Sequence, residues 1–301
     1  MARISNLVAR TTPAIWWVAV LLFGALVATS ILRNARPITS IDLGIVLPHA
    51  WLLLFGAGIL GGALNAVAGG GSFVTLPALL SAGILPVSAN AMSTVALWPG
   101  AWASVAAYRR EIASLERKFL LVLVGTSLVG GIAGAQLLLY TPQETFMRLT
   151  PYLLLGATLL LIFGRKLARL LERWTPRAGE VASRRALLGL GAAQLVFAMY
   201  GGYFGGGLGV LLLATLLLMG IESIHQMNGL KALLTTAIRG VAVLVFVVAG
   251  VIAWPETIIM IAGSIVGGYG GAEIARRADP RLVKGFTVLV GLVMTVYFFV
   301  R

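Results

Sequence analysis

The chain has 301 residues, of which 59% are hydrophobic and only 11% charged, with 37 glycines. A mean hydropathy of +0.97 is more apolar than a soluble domain sustains. The formal charge of +13 does not point to nucleic acid, because the cations stand between long apolar stretches, where they set membrane orientation. Cysteine is absent, which excludes disulfides, thiolate metal sites and cysteine nucleophiles.

In chain order, apolar segments run over 13–32, 49–68, 87–108, 119–140, 149–164, 186–204, 229–253, 257–275 and 285–300. Two further pieces, Ser72 to Ala82 and Leu208 to Met219, would rise only about 16 to 18 Å, roughly half of a hydrocarbon core. Each follows a triple glycine, Gly69-Gly70-Gly71 or Gly205-Gly206-Gly207, and each ends in a turn-like break, Gly83 to Pro86 or Gly220 to Ser223. They read as half-helices that either cross or re-enter. The fold class expected is therefore an all-α polytopic membrane protein.

The basic runs Arg109 to Lys118, Arg165 to Arg185 and Arg276 to Lys284 are placed in the cytoplasm, with the loops Thr141 to Glu144 and Trp254 to Glu256 outside. Arg3 and Arg10 put the N-terminus inside as well, and the segment after them reads as an uncleaved signal anchor. Four landmarks of the first half recur in order in the second at an offset of 136 to 138 residues: Gly69-Gly70-Gly71, Gly83-Ile84, Asn90 and Gly130-Gly131. The recurrence is an internal duplication. Because the first copy starts outside and the second inside, the copies are expected to be inverted, an architecture of secondary transporters with a substrate site near the midplane. The division expected is an extra N-terminal transmembrane helix and loop in 1–47, a first repeat in 48–166, a basic cytoplasmic linker in 167–185 and a second repeat in 186–301.

At these positions the chain resembles the sulfite exporter TauE/SafE family of membrane permeases. The resemblance rests on Ala68-Gly69-Gly70-Gly71-Ser72 with Pro77 and Ala89-Asn90-Ala91-Met92-Ser93-Thr94, and again on Tyr203-Phe204-Gly205-Gly206-Gly207-Leu208-Gly209 with Met227-Asn228-Gly229-Leu230-Lys231. It covers roughly residues 48 to 300; the extra first helix departs from it. The resemblance implies movement of sulfite, organosulfonates or related sulfur anions across the cytoplasmic (inner) membrane, usually as export.

Within the second repeat, Asn228, Lys231, Thr235 and Arg239 fall at i, i+3, i+7 and i+11, one polar stripe along an otherwise apolar helix. Two of the four are cations with no acid within a turn. They either meet a substrate anion, or snorkel or pair with an acid from elsewhere. The matching stripe of the first repeat is neutral: Asn90, Ser93, Leu97, Ala101. Asn90, Ser93 and Thr94, like Asn228, stand close to a helix start, where they serve either an anion or an ordinary cap. Gly70, Gly71, Gly206 and Gly207 can offer backbone N–H groups to an anion or simply allow close helix packing, and Ser72 is the one hydroxyl at such a break. Asn65, Gln136 and Gln194 read as interhelical hydrogen-bonding groups. Tyr200, Tyr203 and Trp98 read as packing or interface residues. His225, one turn after Glu222, is a candidate proton carrier or a solvated loop residue.

A coupling proton or sodium ion and a small anionic substrate are the partners expected, besides the bilayer. No cofactor or metal is expected: His49 and His225 are the only histidines, with no His-Glu-x-x-His and no P-loop. The competing readings are an anion channel, a permease for a non-sulfur anion, and an intramembrane hydrolase built on Ser72 and His225. The last lacks a Gly-x-Ser-x-Gly elbow.

Overall fold

A computed structural model describes residues 48–171, 184–218, 221, 223–277 and 280–300. The helix expected in 1–47 and the centre of the basic linker, 172–183, lie outside the described residues. Every regular element among the described residues is a helix: α1 (Pro48–Ala68), α2 (Ser72–Ser81), α3 (Pro86–Ala107), α4 (Arg109–Ala113), α5 (Arg117–Tyr140), α6 (Gln143–Leu171), α7 (Arg184–Tyr203), α8 (Leu208–Leu218), α9 (Ile224–Ala249), α10 (Trp254–Arg277) and α11 (Pro280–Val300). α5 and α9 are long and apolar enough to cross a bilayer on length and composition. The outer surface is apolar where a soluble protein would be polar: Leu52 is 74% exposed, Val129 61% and Leu289 57%. Such a surface belongs to a protein solvated by lipid.

The two short helices fall where the glycine breaks place them. α1 ends at Ala68 because Gly69 turns to φ +74°, its N–H bonding back to the carbonyls of Leu64 and Asn65 at 3.1 Å. α7 ends in the same way, with Gly205 at φ +73°. Only glycine adopts this conformation without a steric cost. Gly69 lies against the backbone of Gly209 at the start of α8, so the two breaks meet inside the bundle.

Helix pairing is reciprocal between the halves. α1 packs along α10 and α7 along α5, while α9 contacts both α3 and α5, and α6 contacts α11. Both long pairings are backbone-close. A Cβ on Gly58 or Gly62 would strike Met260 O or Ser264 O of α10, and one on Gly130 or Gly134 would strike Leu195 O or Met199 O of α7. In lipid, where apolar side chains gain little by leaving the solvent, such small-residue seams drive helix association. The Ser264 hydroxyl donates to the Ala96 carbonyl of α3, and Gln194 Nε2 donates to Ser127 Oγ at 2.8 Å, linking α7 to α5. Gln194 and Ser127 are both buried, so Gln194→Leu is expected to cost about 1 kcal/mol. Thermal unfolding in detergent measures this, and the Gln194→Leu/Ser127→Ala pair should lose less than the sum of its single variants.

Several boundaries differ from expectation. α6 extends past the expected 149–164 at both ends, because Arg165, Lys166 and Arg169 are good helix formers and the helix outruns its apolar segment. α9 begins at Ile224 rather than near Asn228, since Ser223 is the N-cap and accepts from Gln226 N at 3.4 Å; it ends at Ala249, capped by left-handed Gly250. α4 was not anticipated. Gln136, expected to bond between helices, is instead exposed on α5.

Candidate functional site

Arg239 is the largest fully buried side chain, 1% exposed, near the middle of α9. Its Nη1 donates to Asn65 Oδ1 of α1 at 3.0 Å, and its Nη2 donates to the Gly205 carbonyl at the second break at 3.4 Å. Its Nε is buried without a hydrogen-bond partner. No salt bridge to Arg239 is formed among the described residues, so the guanidinium is held entirely by neutral oxygens. Because Asn65 stands four residues before Gly69 and its own carbonyl accepts from Gly69 N–H, this one cation is tied to both breaks at once.

The first-half residues surround the same junction. Asn90, 1% exposed, donates from Nδ2 to the Tyr203 carbonyl at 2.8 Å, just ahead of the second break, and its Oδ1 is buried without a partner. The hydroxyl of Thr94 returns to the Asn90 carbonyl at 3.0 Å, and Thr94 is the side chain nearest Gly205 from α3. Ser93 and Thr75 share a 2.6 Å hydroxyl contact beside the first break, where Thr75 also donates to the Gly71 carbonyl at 3.3 Å. Asn65 Cβ in turn lies against Gly71. Asn90 and Asn228 are each the fifth residue of their helix, so neither offers the free N–H groups of a helix start, and neither is a cap.

The glycines allow the close packing expected of them. Gly71 is wedged against Gly61 O and Leu97, Gly207 against Ala157 of α6, and Gly70 against Thr287 and Phe73. The carbonyl of Gly206 is taken by Tyr200 OH at 2.7 Å, which gives Tyr200 a fixed role in the second break. All four glycines are buried, yet no hydrogen bond to a described residue takes up their N–H groups. They stand at the starts of the two short helices, where the first N–H groups have no intrahelical partner. Ser72 is buried as the first residue of α2.

The polar stripe is not one site. Lys231 is half-buried and eight residues before Arg239, a rise of about 12 Å along the helix axis. No hydrogen bond or ion pair joins it to a described residue. Thr235, between the two cations, has a buried hydroxyl without a partner, as does Thr236, whose carbonyl accepts from Trp98 Nε1 at 3.1 Å. Asn228 is half-buried beside Gly229, which lies against Tyr108 and Ile112 next to α4. His225 is exposed at the start of α9, about 21 Å along the axis from Arg239, and so belongs to the surface rather than the site. Ser72 is buried and His225 exposed, and no hydrogen bond among the described residues joins them. The side chain of Glu222 lies outside the described residues.

Sequence reasoning missed Asn65 as a site residue, although it is the only amide in α1 and stands one turn before the break. Among the described residues there is no cluster of three His, Asp or Glu side chains able to hold a metal ion.

Comparison with known proteins places these residues in context. The family model described as sulfite exporter TauE/SafE matches residues 54–298. The probable membrane transporter protein YfcA of Escherichia coli (strain K12) is 27% identical over 248 residues, covering 81% of this chain and 87% of that protein. A probable membrane transporter protein of Haemophilus influenzae is 27% identical over 248 residues, covering 81% and 92%. The probable membrane transporter protein ORF9 of a Sinorhizobium species is 25% identical over 262 residues, covering 82% and 92%. No solved structure gives a significant match.

Proposed function

The chain belongs to the sulfite exporter TauE/SafE family, a family of membrane transporters rather than enzymes, and on that premise we propose that it is a secondary transporter moving small sulfur oxyanions, such as sulfite or organosulfonates, out of the cytoplasm. The observation that carries the reading is Arg239: a permanent cation buried in the bundle, held by neutral groups alone, at the point where both chain breaks meet. A charge in a membrane protein's interior is costly and marks an ion or substrate path. A guanidinium is also the side chain best matched to a trigonal or tetrahedral oxyanion, since its planar fork presents several N–H donors together.

The groups proposed to touch the anion are Arg239, Asn65, Asn90 and Thr94, with the N–H groups of Gly70, Gly71, Gly206 and Gly207 at the starts of α2 and α8. Ser93, Thr75 and Ser72 line the first-break side. Asn228, Lys231 and Thr235 form an approach to the site from the cytoplasmic end of α9, where Lys231 raises the local anion concentration. The proposed transport cycle is alternating access by two inverted repeats, 48–166 and 186–301, in the inner membrane with the N-terminus inside and a proton or sodium ion as the coupling ion. Supporting the repeat assignment are the shared order of a long helix, a glycine break, a short helix and three long helices in each half, interrupted in the first half by the five-residue α4, and the reciprocal pairing α1 with α10 and α7 with α5.

The test is counterflow of labelled sulfite and a series of organosulfonates in proteoliposomes, against protein-free vesicles. Saturable exchange of at least one sulfur anion is expected; absence of exchange for every anion overturns the reading. In the same assay Lys231→Ala is expected to raise the half-saturating concentration about threefold to tenfold with little change in maximal flux, with exposed Lys118→Ala as the control. Loss of maximal flux in Lys231→Ala would move Lys231 into the site itself.

A further inference from the structure

Resting on the assignment of Arg239 as the anion site, we propose that the site selects by charge number, accepting anions with a single negative charge and rejecting dianions of the same shape.

Arg239 contributes one positive charge, and both groups that hold it, Asn65 Oδ1 and the Gly205 carbonyl, are neutral. The remaining polar groups there, Asn90, Thr94, Ser93 and Thr75, are neutral as well. Lys231 stands eight residues earlier, a rise of about 12 Å along the α9 axis, is half-buried, and shares no hydrogen-bond partner with Arg239 among the described residues. Helix dipoles do not alter the count. At the first break α1 ends at Ala68 and α2 starts at Ser72; at the second, α7 ends at Tyr203 and α8 starts at Leu208. Each break thus sets a negative helix end beside a positive helix start, and the two partial charges offset one another. Among the described side chains the net charge is therefore that of one guanidinium. A monoanion makes the loaded site neutral, whereas a dianion leaves a whole unpaired charge in the bundle interior, where it is heavily penalised.

Asn65 is the residue that keeps this count. A carboxylate at position 65 would be nearly isosteric, would bond Arg239 in the same geometry and would cancel its charge, leaving a neutral site with no demand for an anion. The amide positions the guanidinium without neutralising it.

The experiment compares methanesulfonate, a monoanion at any working pH, with sulfate, a tetrahedral dianion, as competitors of sulfite counterflow in proteoliposomes of the full chain. Methanesulfonate is expected to compete at least tenfold more strongly, and sulfite flux is expected to rise as pH falls through its second dissociation, following the hydrogensulfite fraction. Asn65→Asp is expected to lose at least tenfold in methanesulfonate competition and in sulfite flux while unfolding no earlier than the parent. Lys118→Ala, exposed at the start of α5 and outside the site, is the control expected to leave both unchanged. Equal competition by sulfate and methanesulfonate, or Asn65→Asp behaving as the parent, overturns the charge-number proposal while leaving the transport assignment standing. Absence of sulfite flux in the parent removes the assignment on which both rest.

Discussion

Replacing Arg239 with methionine is expected to abolish anion flux while leaving the protein as stable as the parent or more so. The two halves of that expectation have different causes. For transport, losing a buried charge-assisted partner costs about 2 to 5 kcal/mol, which lowers flux at limiting substrate by about 30-fold or more. For stability, a cation held only by Asn65 Oδ1 and the Gly205 carbonyl recovers little of its desolvation penalty, which is several kcal/mol for an ion in a protein interior. Methionine fills a similar volume with no charge to desolvate, and the two oxygens left behind cost about 1 kcal/mol each. Arg239→Lys should not restore function, because an ammonium on a flexible stem reproduces neither the fork geometry nor the simultaneous reach to both breaks. Flux and thermal unfolding measured on one preparation decide the matter. A methionine variant that unfolds far earlier than the parent would make Arg239 a structural tie between the breaks, and one with parental flux would remove it from the site.

How much of this was legible in the sequence depended on the distance over which each feature is specified. The breaks are local. A triple glycine followed by ten or so apolar residues dictates a short helix, and the observed Ser72–Ser81 and Leu208–Leu218 fall within a residue of the expected ends. The start of α9 is less legible, because Ser223 closes a turn-like Gly220 to Ser223 stretch in the sequence while its side chain caps a helix that begins four residues ahead of Asn228. α4 escaped notice because five residues carrying three charges show no apolar period. The partner of Arg239 was beyond reach for a different reason: Asn65 is 174 residues away, and the pairing depends on how α1 and α9 are oriented about the breaks. The stripe itself was real as a helical face. Its polar groups are strung over three turns, however, so one face supplies a site at Arg239 and a separate half-buried cation at Lys231, a distinction that periodicity alone does not make.

Gly62→Val is expected to damage the fold severely. A Cβ at residue 62 would run into the carbonyl group of Ser264, and the obstacle is backbone rather than the end of a flexible side chain, so α1 and α10 must separate. Separation loosens the whole seam formed by Gly58, Gly62, Gly263 and Gly267, and strains the Ser264 hydroxyl bond to Ala96 that anchors α10 to α3. Overpacking a rigid contact of this kind costs about 3 kcal/mol or more, and in lipid no gain in apolar burial offsets it. Gly56, on the same helix, has nothing within 4 Å of an added Cβ. Gly56→Ala is therefore expected to be neutral or to stabilise by up to about 1 kcal/mol through helix propensity. Thermal unfolding of the purified variants in detergent checks both, and similar midpoints for Gly62→Val and Gly56→Ala would show that the close seam does not hold α1 to α10. Because α1 also carries Asn65 one turn from its end, a widened seam should pull Asn65 from Arg239, so whatever Gly62→Val protein still folds is expected to lose anion flux as well.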